Sequence, residues 1–173
     1  MKIRNADVND AEKLLGIYGY YVTDTAITFE YDIPSVQEFQ NRIRNIIAEY
    51  PYIVCENESG QIIGYAYAGV FNSRAAYSHC AEVTIYVKNG LQHHGIGKIL
   101  YEHLEKMLKK QGIINLYACI GYPHHNDEYL TTNSADYHRH MGYNICGTFH
   151  NCGYKFGRWY DMIFMEKIIG EYV

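Results

Sequence analysis

The chain has 173 residues, enough for one domain with a sizeable core, and its 48% hydrophobic share excludes a disordered chain. A formal net charge of −4 argues against broad binding to nucleic acid or to a membrane surface. The five cysteines form no Cys-x-x-Cys pair, so we expect free thiols. The N-terminus lacks the apolar core of a signal peptide, and no apolar run is long enough to cross a bilayer. We therefore expect a cytoplasmic protein.

Hydrophobic periodicity and turn residues predict strands and helices along the whole chain. In chain order, the predictions are a strand over 2–5, helices over 7–22 and 36–49, strands over 52–56, 61–71 and 81–87, a helix over 95–111, a strand over 114–122, a helix over 133–141, and strands over 143–151 and 159–167. Ser35 and Glu38 form a capping box for the second helix. This order predicts one α/β domain over 1–173, with a mixed sheet that has helices on both faces, and it lacks the repeated βα units of a doubly wound nucleotide fold.

A glycine-rich turn joins the strand over 81–87 to the amphipathic helix over 95–111, whose predicted apolar face includes His103. The turn consists of Gln92, His93, His94, Gly95, Ile96, Gly97 and Lys98. Such a turn exposes unpaired backbone N–H groups at the positive end of a helix dipole, where phosphate oxygens bind. The glycines leave no side chain to block a pyrophosphate, so the turn predicts a phosphate-bearing ligand.

Three phosphate-binding patterns compete for this turn. The P-loop ends in Gly-Lys-Ser/Thr, but Ile99 follows Lys98, so the hydroxyl that binds Mg²⁺ is missing. The dinucleotide fingerprint needs three glycines near the first strand, whereas this turn has fewer and follows a late strand. The third pattern, Arg/Gln-x-x-Gly-x-Gly/Ala, is the coenzyme A pyrophosphate loop of the GNAT N-acetyltransferases, and residues 92–97 resemble it at every fixed position.

Further segments resemble the phosphinothricin acetyltransferase branch of this family, in the same order and over nearly the whole chain. They are residues 51–54, 64–69, 73–77, 82–87, 120–123, 138–143 and 153–161. The resemblance implies the GNAT acyl-CoA N-acyltransferase fold, with a mostly antiparallel sheet, and acetyl-CoA as co-substrate without a metal. It also implies a homodimer and direct attack, in a ternary complex, by the primary amine of a small amino-acid-like molecule such as phosphinothricin or a methionine sulfone analogue.

The resemblance also carries candidate catalytic residues. Glu82 matches the family's glutamate and is the predicted base that takes the proton of the amine. His138 is the predicted proton donor to the departing thiolate, because an imidazole has a near-neutral pKa. Tyr137 is the fallback donor, although we expect it to face elsewhere on its helix. The competing interpretation of Glu82 is an ordinary strand-edge carboxylate, and that of His138 is a surface histidine.

The strand before the turn is predicted to bind the cofactor through its backbone. In this family the strand splays from its neighbour, so Ile85, Tyr86 and Val87 are expected to pair with the pantetheine arm. A backbone N–H there would also polarise the thioester carbonyl. Residues 92–98 are then expected to surround the pyrophosphate.

The loop over 123–132 departs from the family pattern. It is several residues longer than the family's Asn-x-x-Ser approach to the last helix. Ser134 falls on the family's serine, and either Asn126 or Asn133 is expected to take the role of the asparagine that contacts the cofactor. The inserted acidic pair at 127–128 is a candidate to reshape the acceptor pocket.

Phe29, Arg74 and Tyr77 match the acceptor-side segments of the family. Arg74 is expected to form a bidentate pair with a substrate carboxylate, and the competing interpretation is a surface arginine on a loop. The 19 tyrosines suit pocket walls and subunit interfaces.

The nine histidines invite a metal interpretation, but the sequence contains no His-x-x-x-His or His-Glu-x-x-His pattern, so no metal is expected. Two other functions remain open. One is acetylation of a protein N-terminus or lysine, which needs an open groove. The other is a non-catalytic coenzyme A-binding protein, against which the presence of both Glu82 and His138 argues.

Overall fold

The computed structural model describes residues 1–172, which form a seven-stranded sheet with helices on both faces. The strands are β1 (Lys2–Asn5), β2 (Tyr52–Glu56), β3 (Ile62–Val70), β4 (Cys80–Val87), β5 (Asn115–Tyr122), β6 (Asn144–Lys155) and β7 (Arg158–Ile168). The helices are α1 (Ala11–Asp24), α2 (Val36–Ile47), α3 (Ile96–Lys110) and α4 (Asn133–His140), with 3₁₀ turns at Val8–Asp10 and Ala75–Tyr77. None of these helices is long and apolar enough to span a membrane.

The sheet has the order β1-β2-β3-β4-β5-β7-β6, and all neighbours are antiparallel except β4 and β5. This confirms the predicted fold class, a mixed and mostly antiparallel sheet. A parallel pair needs a crossover connection, and α3 supplies it between β4 and β5. The turn at residues 92–98 therefore lies where the chain leaves the middle of the sheet.

The C-terminal hairpin differs most from the sequence prediction. The sequence predicts that the sixth strand ends at residue 151, but β6 continues to Lys155 and turns at Phe156 and Gly157, whose φ angles are 52° and 74°. A phenylalanine is an unusual residue for a positive φ, so the turn has no strong sequence signal. A register shift between Phe149 and Gly153 also interrupts the alternation that marks a strand.

Helices cover the two faces of the sheet with separate hydrophobic clusters. On one face α3 buries Leu100 and Leu104 against the central strands. On the other face α1 and α2 bury residues that include Tyr18. Side chains alternate along a strand, and in β4 Val83 packs with the α3 cluster whereas Tyr86 packs with the α1 cluster. The two faces of β4 therefore have different neighbours, which decides where each site residue points.

β4 and β5 are paired only at their first residues. The register covers three residue pairs and ends at Glu82 and Tyr117, although β4 continues to Val87 and β5 to Tyr122. The strands separate beyond that point, as the family resemblance implies. Backbone N–H and C=O groups on the separated edges are then available to a ligand.

Candidate active site

A narrow cavity lies where β4 and β5 separate. Ile85 and Tyr86 from β4 line it, together with Ser134 and His138 from α4 and Tyr101 from α3. The structure thus brings together residues that the sequence analysis assigned to the cofactor and to catalysis from separate parts of the chain.

The turn between β4 and α3 has the geometry of an anion site. His93 and Gly95 have positive φ angles of 66° and 78°. The first hydrogen bond of α3 runs from the Ile99 N–H to the Gly95 carbonyl at 3.1 Å. The N–H groups of residues 96–98 therefore have no acceptor within the helix, and they lie at its positive end.

The side chains of the turn have different structural roles. Gln92 Oε1 accepts a hydrogen bond from the Gly90 N–H at 2.9 Å, so Gln92 helps to hold the turn itself. His93, His94 and Lys98 are exposed.

A neighbouring side chain favours glycine at position 97, where the motif itself accepts either glycine or alanine. A Cβ atom at Gly97 would lie 2.9 Å from the Tyr137 hydroxyl and 3.0 Å from its ring. The Tyr137 hydroxyl is buried, and it has no hydrogen-bond partner among the described residues. A buried hydroxyl without a partner is costly, so a ligand oxygen at the N-terminus of α3 would satisfy it. Tyr137 therefore faces the turn, whereas the adjacent His138 ring lies against Tyr101.

The backbone of β4 is partly occupied. Ile85 and Tyr86 lie beyond the last residue that pairs with β5, as the cofactor prediction requires. The Val87 carbonyl, however, accepts a hydrogen bond from the Tyr21 hydroxyl. That carbonyl therefore has a partner within the chain, and a ligand would find its donors and acceptors earlier in the strand.

Glu82 lies at the root of the split, as the last β4 residue that pairs with β5. Since Val83 faces α3, Glu82 faces the side of α1 and α2. Its side chain is partly buried, and this burial raises the pKa of the carboxyl group. A carboxylate with a raised pKa is a stronger base than an exposed one, which suits proton removal from an amine.

His138 is buried, and both of its ring nitrogens are engaged. Nδ1 lies 2.7 Å from the Ser134 carbonyl, and because a carbonyl can only accept, Nδ1 carries the ring proton. Burial lowers the pKa of His138 to about 4, so the ring is neutral near pH 7. Nε2 then accepts from the Tyr101 hydroxyl at 2.9 Å. The single ring proton of His138 is therefore directed at the Ser134 carbonyl, and the role of His138 as proton donor to the thiolate stays a prediction.

Tyr101 is a site residue that the sequence analysis missed. It lies on the buried face of α3, one turn after Gly97, and its side chain is 1% exposed. His103, which the sequence places on that face, is exposed instead. The available signal was the spacing of Gly97 and Tyr101, because residues four apart share a helix face.

The long loop before α4 is fixed by its own polar groups. Asn126 Oδ1 accepts from the Thr132 N–H at 3.1 Å, whereas Asn133 is the first residue of α4 and is exposed. The inserted acidic pair binds one partner: Arg158 lies 3.0 Å from Asp127 and donates two hydrogen bonds of 2.8 Å to the carboxylate at 128. Arg158, at the start of β7, thus balances one of the two negative charges of this pair.

Phe29 occupies a slot formed by two glycines. Its ring packs in a cluster that includes Leu130 and Tyr160. A Cβ atom at Gly153 would lie 2.3 Å from this ring, and one at Gly121 would lie 3.5 Å from it. Phe29 therefore ties the loop after α1 to β5 and β6, and its position depends on residues far away in the sequence.

The other predicted acceptor residues are exposed. Arg74 and Tyr77 lie on the connection between β3 and β4. The Tyr77 ring meets the edge of Phe71 at a centroid distance of 5.8 Å, and Phe71 stacks on Tyr117 at 4.1 Å. This segment leads into the paired end of β4, which carries Glu82.

A larger cavity, which the sequence analysis did not predict, opens between α2 and the sheet. Its volume is about 320 Å³, and tyrosine rings form much of its wall, including Tyr67 and Tyr86. Glu30 and Arg42, which form an ion pair at 2.6 Å, also line it. Tyr67 pairs with Thr84 in the sheet, next to the Glu82 end of β4, so this cavity lies on the same face as the predicted base.

Within residues 1–172, no three His, Cys, Asp or Glu side chains are arranged to hold a metal ion. The groups that the sequence analysis predicts for this site are of the kinds that bind a phosphate ester and transfer a proton.

Known proteins resemble this chain in both fold and sequence. Residues 3–164 match the protein family described as "Acetyltransferase (GNAT) domain". The phosphinothricin N-acetyltransferase of Streptomyces viridochromogenes is 34% identical over 167 residues, which cover 96% of this chain and 87% of that protein. The L-methionine sulfoximine/L-methionine sulfone acetyltransferase of Pseudomonas aeruginosa is 30% identical over 168 residues, which cover 95% of this chain and 92% of that protein. A GNAT superfamily phosphinothricin acetyltransferase from Sinorhizobium meliloti, solved with acetyl-CoA, superimposes with a TM-score of 0.89 at 33% identity and covers 98% of this chain and 88% of that one.

The geometry fits acetyl-CoA as the co-substrate. The split between β4 and β5 offers backbone groups, the turn offers free N–H groups, and the buried Tyr137 hydroxyl lacks a partner. The predictions of acetyl-CoA and of an acetyl-CoA-dependent N-acetyltransferase are confirmed. The chain belongs to the GNAT family of acetyltransferases.

Proposed function

We propose that the chain is a single N-acetyltransferase domain that acetylates the primary amine of a small amino-acid-like molecule by direct attack on acetyl-CoA. The observation that carries this proposal is the position of Glu82 at the root of the β4–β5 split, where its carboxylate is close to Tyr67 of the tyrosine-lined cavity and to Cys119 of the cofactor cavity. The relatives named for phosphinothricin and for methionine sulfoximine or sulfone support an amino-acid-like acceptor.

On the donor side, backbone groups position the thioester. Backbone N–H and C=O groups of Ile85, Tyr86 and Val87, apart from the Val87 carbonyl that accepts from Tyr21, pair with the pantetheine arm, and one N–H polarises the thioester carbonyl. Residues 92–98 bind the pyrophosphate, and Ser134, with Asn126 or Asn133, contacts the cofactor from α4. Glu82 takes the proton of the attacking amine, and its raised pKa keeps it basic enough to do so.

On the acceptor side, Arg74 pairs with the carboxylate of the acceptor, and Phe29 and Tyr77 limit its shape. The exposed guanidinium of Arg74 follows β3 on the connection that leads to the Glu82 strand, and it offers the planar fork that a carboxylate prefers. An acceptor held there presents its amine towards Glu82.

We further infer a homodimer. β6 is an edge strand of the sheet, and exposed apolar side chains cluster on its hairpin, including Phe149, at 52% exposed, and Trp159, at 57%. Such an edge favours association with a second copy. Light scattering on the wild type and on a Phe149→Glu, Trp159→Glu double variant tests this, and a wild-type monomer would contradict it.

A cytoplasmic location is supported by the thiols. Cys119, Cys146 and Cys152 are free and exposed, and such thiols persist in a reducing compartment. Cell fractionation tests this assignment.

The function is tested by measuring thiol release from acetyl-CoA with a panel of amines. The panel contains phosphinothricin, methionine sulfone, methionine sulfoximine, the ordinary amino acids, polyamines and peptide N-termini. We expect turnover with the amino-acid analogues above the rate without amine. Turnover only with peptides would favour protein acetylation, coenzyme A binding without turnover would favour a non-catalytic protein, and absence of binding by calorimetry would overturn the proposal.

A further inference from the structure

The cavity between α2 and the sheet combines an aromatic wall with one hydroxyl group that has no partner. Tyrosine rings from α1, β2, β3 and β4 form much of the wall, together with Phe39 from α2. Tyr65 is one of these tyrosines. It is completely buried, and its hydroxyl has no hydrogen-bond partner among the described residues. A buried hydroxyl without a partner is costly, so a polar atom of a ligand in this cavity would satisfy it.

The charged groups of this cavity favour a neutral ligand. Its charged lining residues are Glu30 and Arg42, and they neutralise each other in an ion pair at 2.6 Å. An ammonium group, which an aromatic wall can also attract, would meet the Arg42 guanidinium here. Burial raises the pKa of Tyr65 well above 10, so its phenol stays neutral as well. The cavity therefore suits a neutral aromatic ring with a hydrogen-bonding group, and its volume of about 320 Å³ is at the small end for a ligand pocket.

The register of β3 and β4 connects this cavity with the predicted base. Directly opposite residues of the two strands point to the same face of the sheet, and every second pair lies on the face covered by α1 and α2. Starting from the base, the pairs on that face are Glu82 with Gly69, Thr84 with Tyr67, and Tyr86 with Tyr65. A Cβ atom at Gly69 would meet nothing within 4 Å, so the space beside Glu82 is open. An open position next to the base thus leads, along one face, to the aromatic wall and the free hydroxyl.

An aromatic amino acid matches the spacing along this face. Two residues of strand, about 7 Å, separate Glu82 from the level of Tyr67, and about 7 Å more lead to the level of Tyr65. When the amine of such a molecule lies beside Glu82, its ring reaches Tyr67, and a polar group at the far end of the ring points on towards Tyr65. A short aliphatic side chain ends before the cavity and leaves the Tyr65 hydroxyl without a partner.

We propose that this cavity is the side-chain pocket of the acceptor, and that the preferred acceptor is an amino-acid-like amine with a neutral aromatic ring and a hydrogen-bonding group at its far end, as in tyrosine. This inference rests on the proposed acetyl transfer. The ring packs against Tyr67 and Tyr86, and its polar group bonds to the Tyr65 hydroxyl. The chemistry is unchanged: the amine nitrogen bonds to the acetyl carbon, and the carbon–sulfur bond breaks with its electron pair on sulfur. One proton passes in net from nitrogen to sulfur.

The first test measures kcat/KM of the wild type, by thiol release from acetyl-CoA, for tyrosine, phenylalanine, methionine sulfone and lysine. We expect tyrosine to exceed methionine sulfone and lysine about 10-fold, because only an aromatic ring fills the cavity. It should exceed phenylalanine about 5-fold, because only tyrosine gives the Tyr65 hydroxyl a partner. A higher value for methionine sulfone or lysine than for tyrosine would overturn this inference and leave the proposed function intact. Turnover of no amine at all would be a failure of the proposed function itself.

The second test compares Tyr65→Phe with Tyr143→Phe. Tyr143 is a matched control because it is also buried and its hydroxyl also lacks a partner among the described residues, but it packs in the α3 cluster on the other face. Both variants should fold, since each loses only a hydroxyl without a partner. We expect Tyr65→Phe to reduce the preference for tyrosine over phenylalanine from about 5-fold to about 1, and Tyr143→Phe to keep it. An unchanged preference in Tyr65→Phe would overturn the assignment of the cavity.

The third test uses para-cresol, which has the ring and the hydroxyl of tyrosine but no amine. If the cavity holds the side chain of the acceptor, para-cresol should inhibit the wild type in competition with tyrosine and without competition with acetyl-CoA. Its inhibition constant should rise about 5-fold in Tyr65→Phe and stay unchanged in Tyr143→Phe. Inhibition that does not compete with tyrosine would make the cavity a separate site and would overturn its role as the side-chain pocket.

Discussion

The acetyl-CoA side of the site is built mainly from one stretch, residues 82–98, to which α4 adds a few side chains, whereas the proposed acceptor side is built from segments far apart in the chain. The donor stretch holds the base, the splayed strand and the anion-binding turn, and it acts largely through backbone groups. The acceptor side depends on Phe29, Leu130 and Tyr160, which three separate segments bring together. Cofactor binding therefore follows from local sequence, while the choice of acceptor follows from long-range packing.

The largest effect is expected at the point where the two sides meet. Glu82→Gln should lower kcat by about 10²-fold or more, because no other carboxylate is proposed to take the amine proton. Coenzyme A affinity by calorimetry should stay unchanged. The wild-type kcat/KM should fall as pH decreases through the pKa of Glu82, which burial raises above 4.5, and the variant should lose this acidic limb.

Glu58→Gln is the matched control, because Glu58 is an exposed carboxylate on the turn between β2 and β3. It should keep the wild-type rate and pH profile. Full activity in Glu82→Gln would show that Glu82 is not the base and that the two sides of the site do not meet at this residue.

The next effect belongs to the donor side alone. Gly97→Ala should weaken coenzyme A binding about 10-fold, because the new methyl group meets the Tyr137 hydroxyl at 2.9 Å and either α4 or the turn must move. Gly16→Ala in α1 is the control. A Cβ atom there meets nothing within 4 Å, so this variant should be more stable by about 0.5–1 kcal/mol and bind normally. Wild-type affinity in Gly97→Ala would show that the contact with Tyr137 does not shape the turn.

The same contrast explains what the sequence predicted and what it missed. The turn at residues 92–98 and Glu82 have fixed spacing within one strand–turn–helix unit, and that spacing is visible in the sequence. The proton on His138 was not predictable, because it depends on Ser134 and on Tyr101 from a different helix. The slot around Phe29 could not be predicted for a similar reason. The sequence around Gly153 does not indicate that the ring of a residue 124 positions earlier fills the space where its side chain would lie.

A smaller effect is expected when the acceptor side alone is changed. Gly153→Ala places a methyl group 2.3 Å from the Phe29 ring, so the ring must leave its slot. We expect the acceptor KM to rise several-fold and the free energy of unfolding to fall by about 1–3 kcal/mol, with coenzyme A affinity unchanged. Gly147→Ala, on the same strand, meets nothing within 4 Å and should change neither quantity. If coenzyme A binding weakened as much as acceptor binding, the two sides would not be separable.

The smallest effect concerns how the loop after β5 and the strand β6 are held together in acid. Asp161 accepts hydrogen bonds from His124 at 2.8 Å, from His150 at 3.0 Å and from the Asn151 N–H at 2.8 Å, so it joins the loop after β5 to β6. Burial alone would raise the pKa of Asp161, but these bonds outweigh it and lower the pKa to about 2. Because the folded value lies below the unfolded value of 3.8, the stabilisation is complete above that value and disappears as pH falls towards 2.

Asp161→Asn should therefore lower Tm near neutral pH, and its difference from the wild type should shrink below pH 4, when the wild-type carboxylate takes up a proton. Thermal unfolding measured across this pH range checks the sign, and Asp32→Asn, on an exposed loop, is the control. A difference that stays constant with pH would mean that the carboxylate acts only through its shape. Calorimetry at neutral pH completes the comparison: since His124, His150 and Asn151 line neither of the two cavities, loss of this carboxylate should leave coenzyme A affinity unchanged.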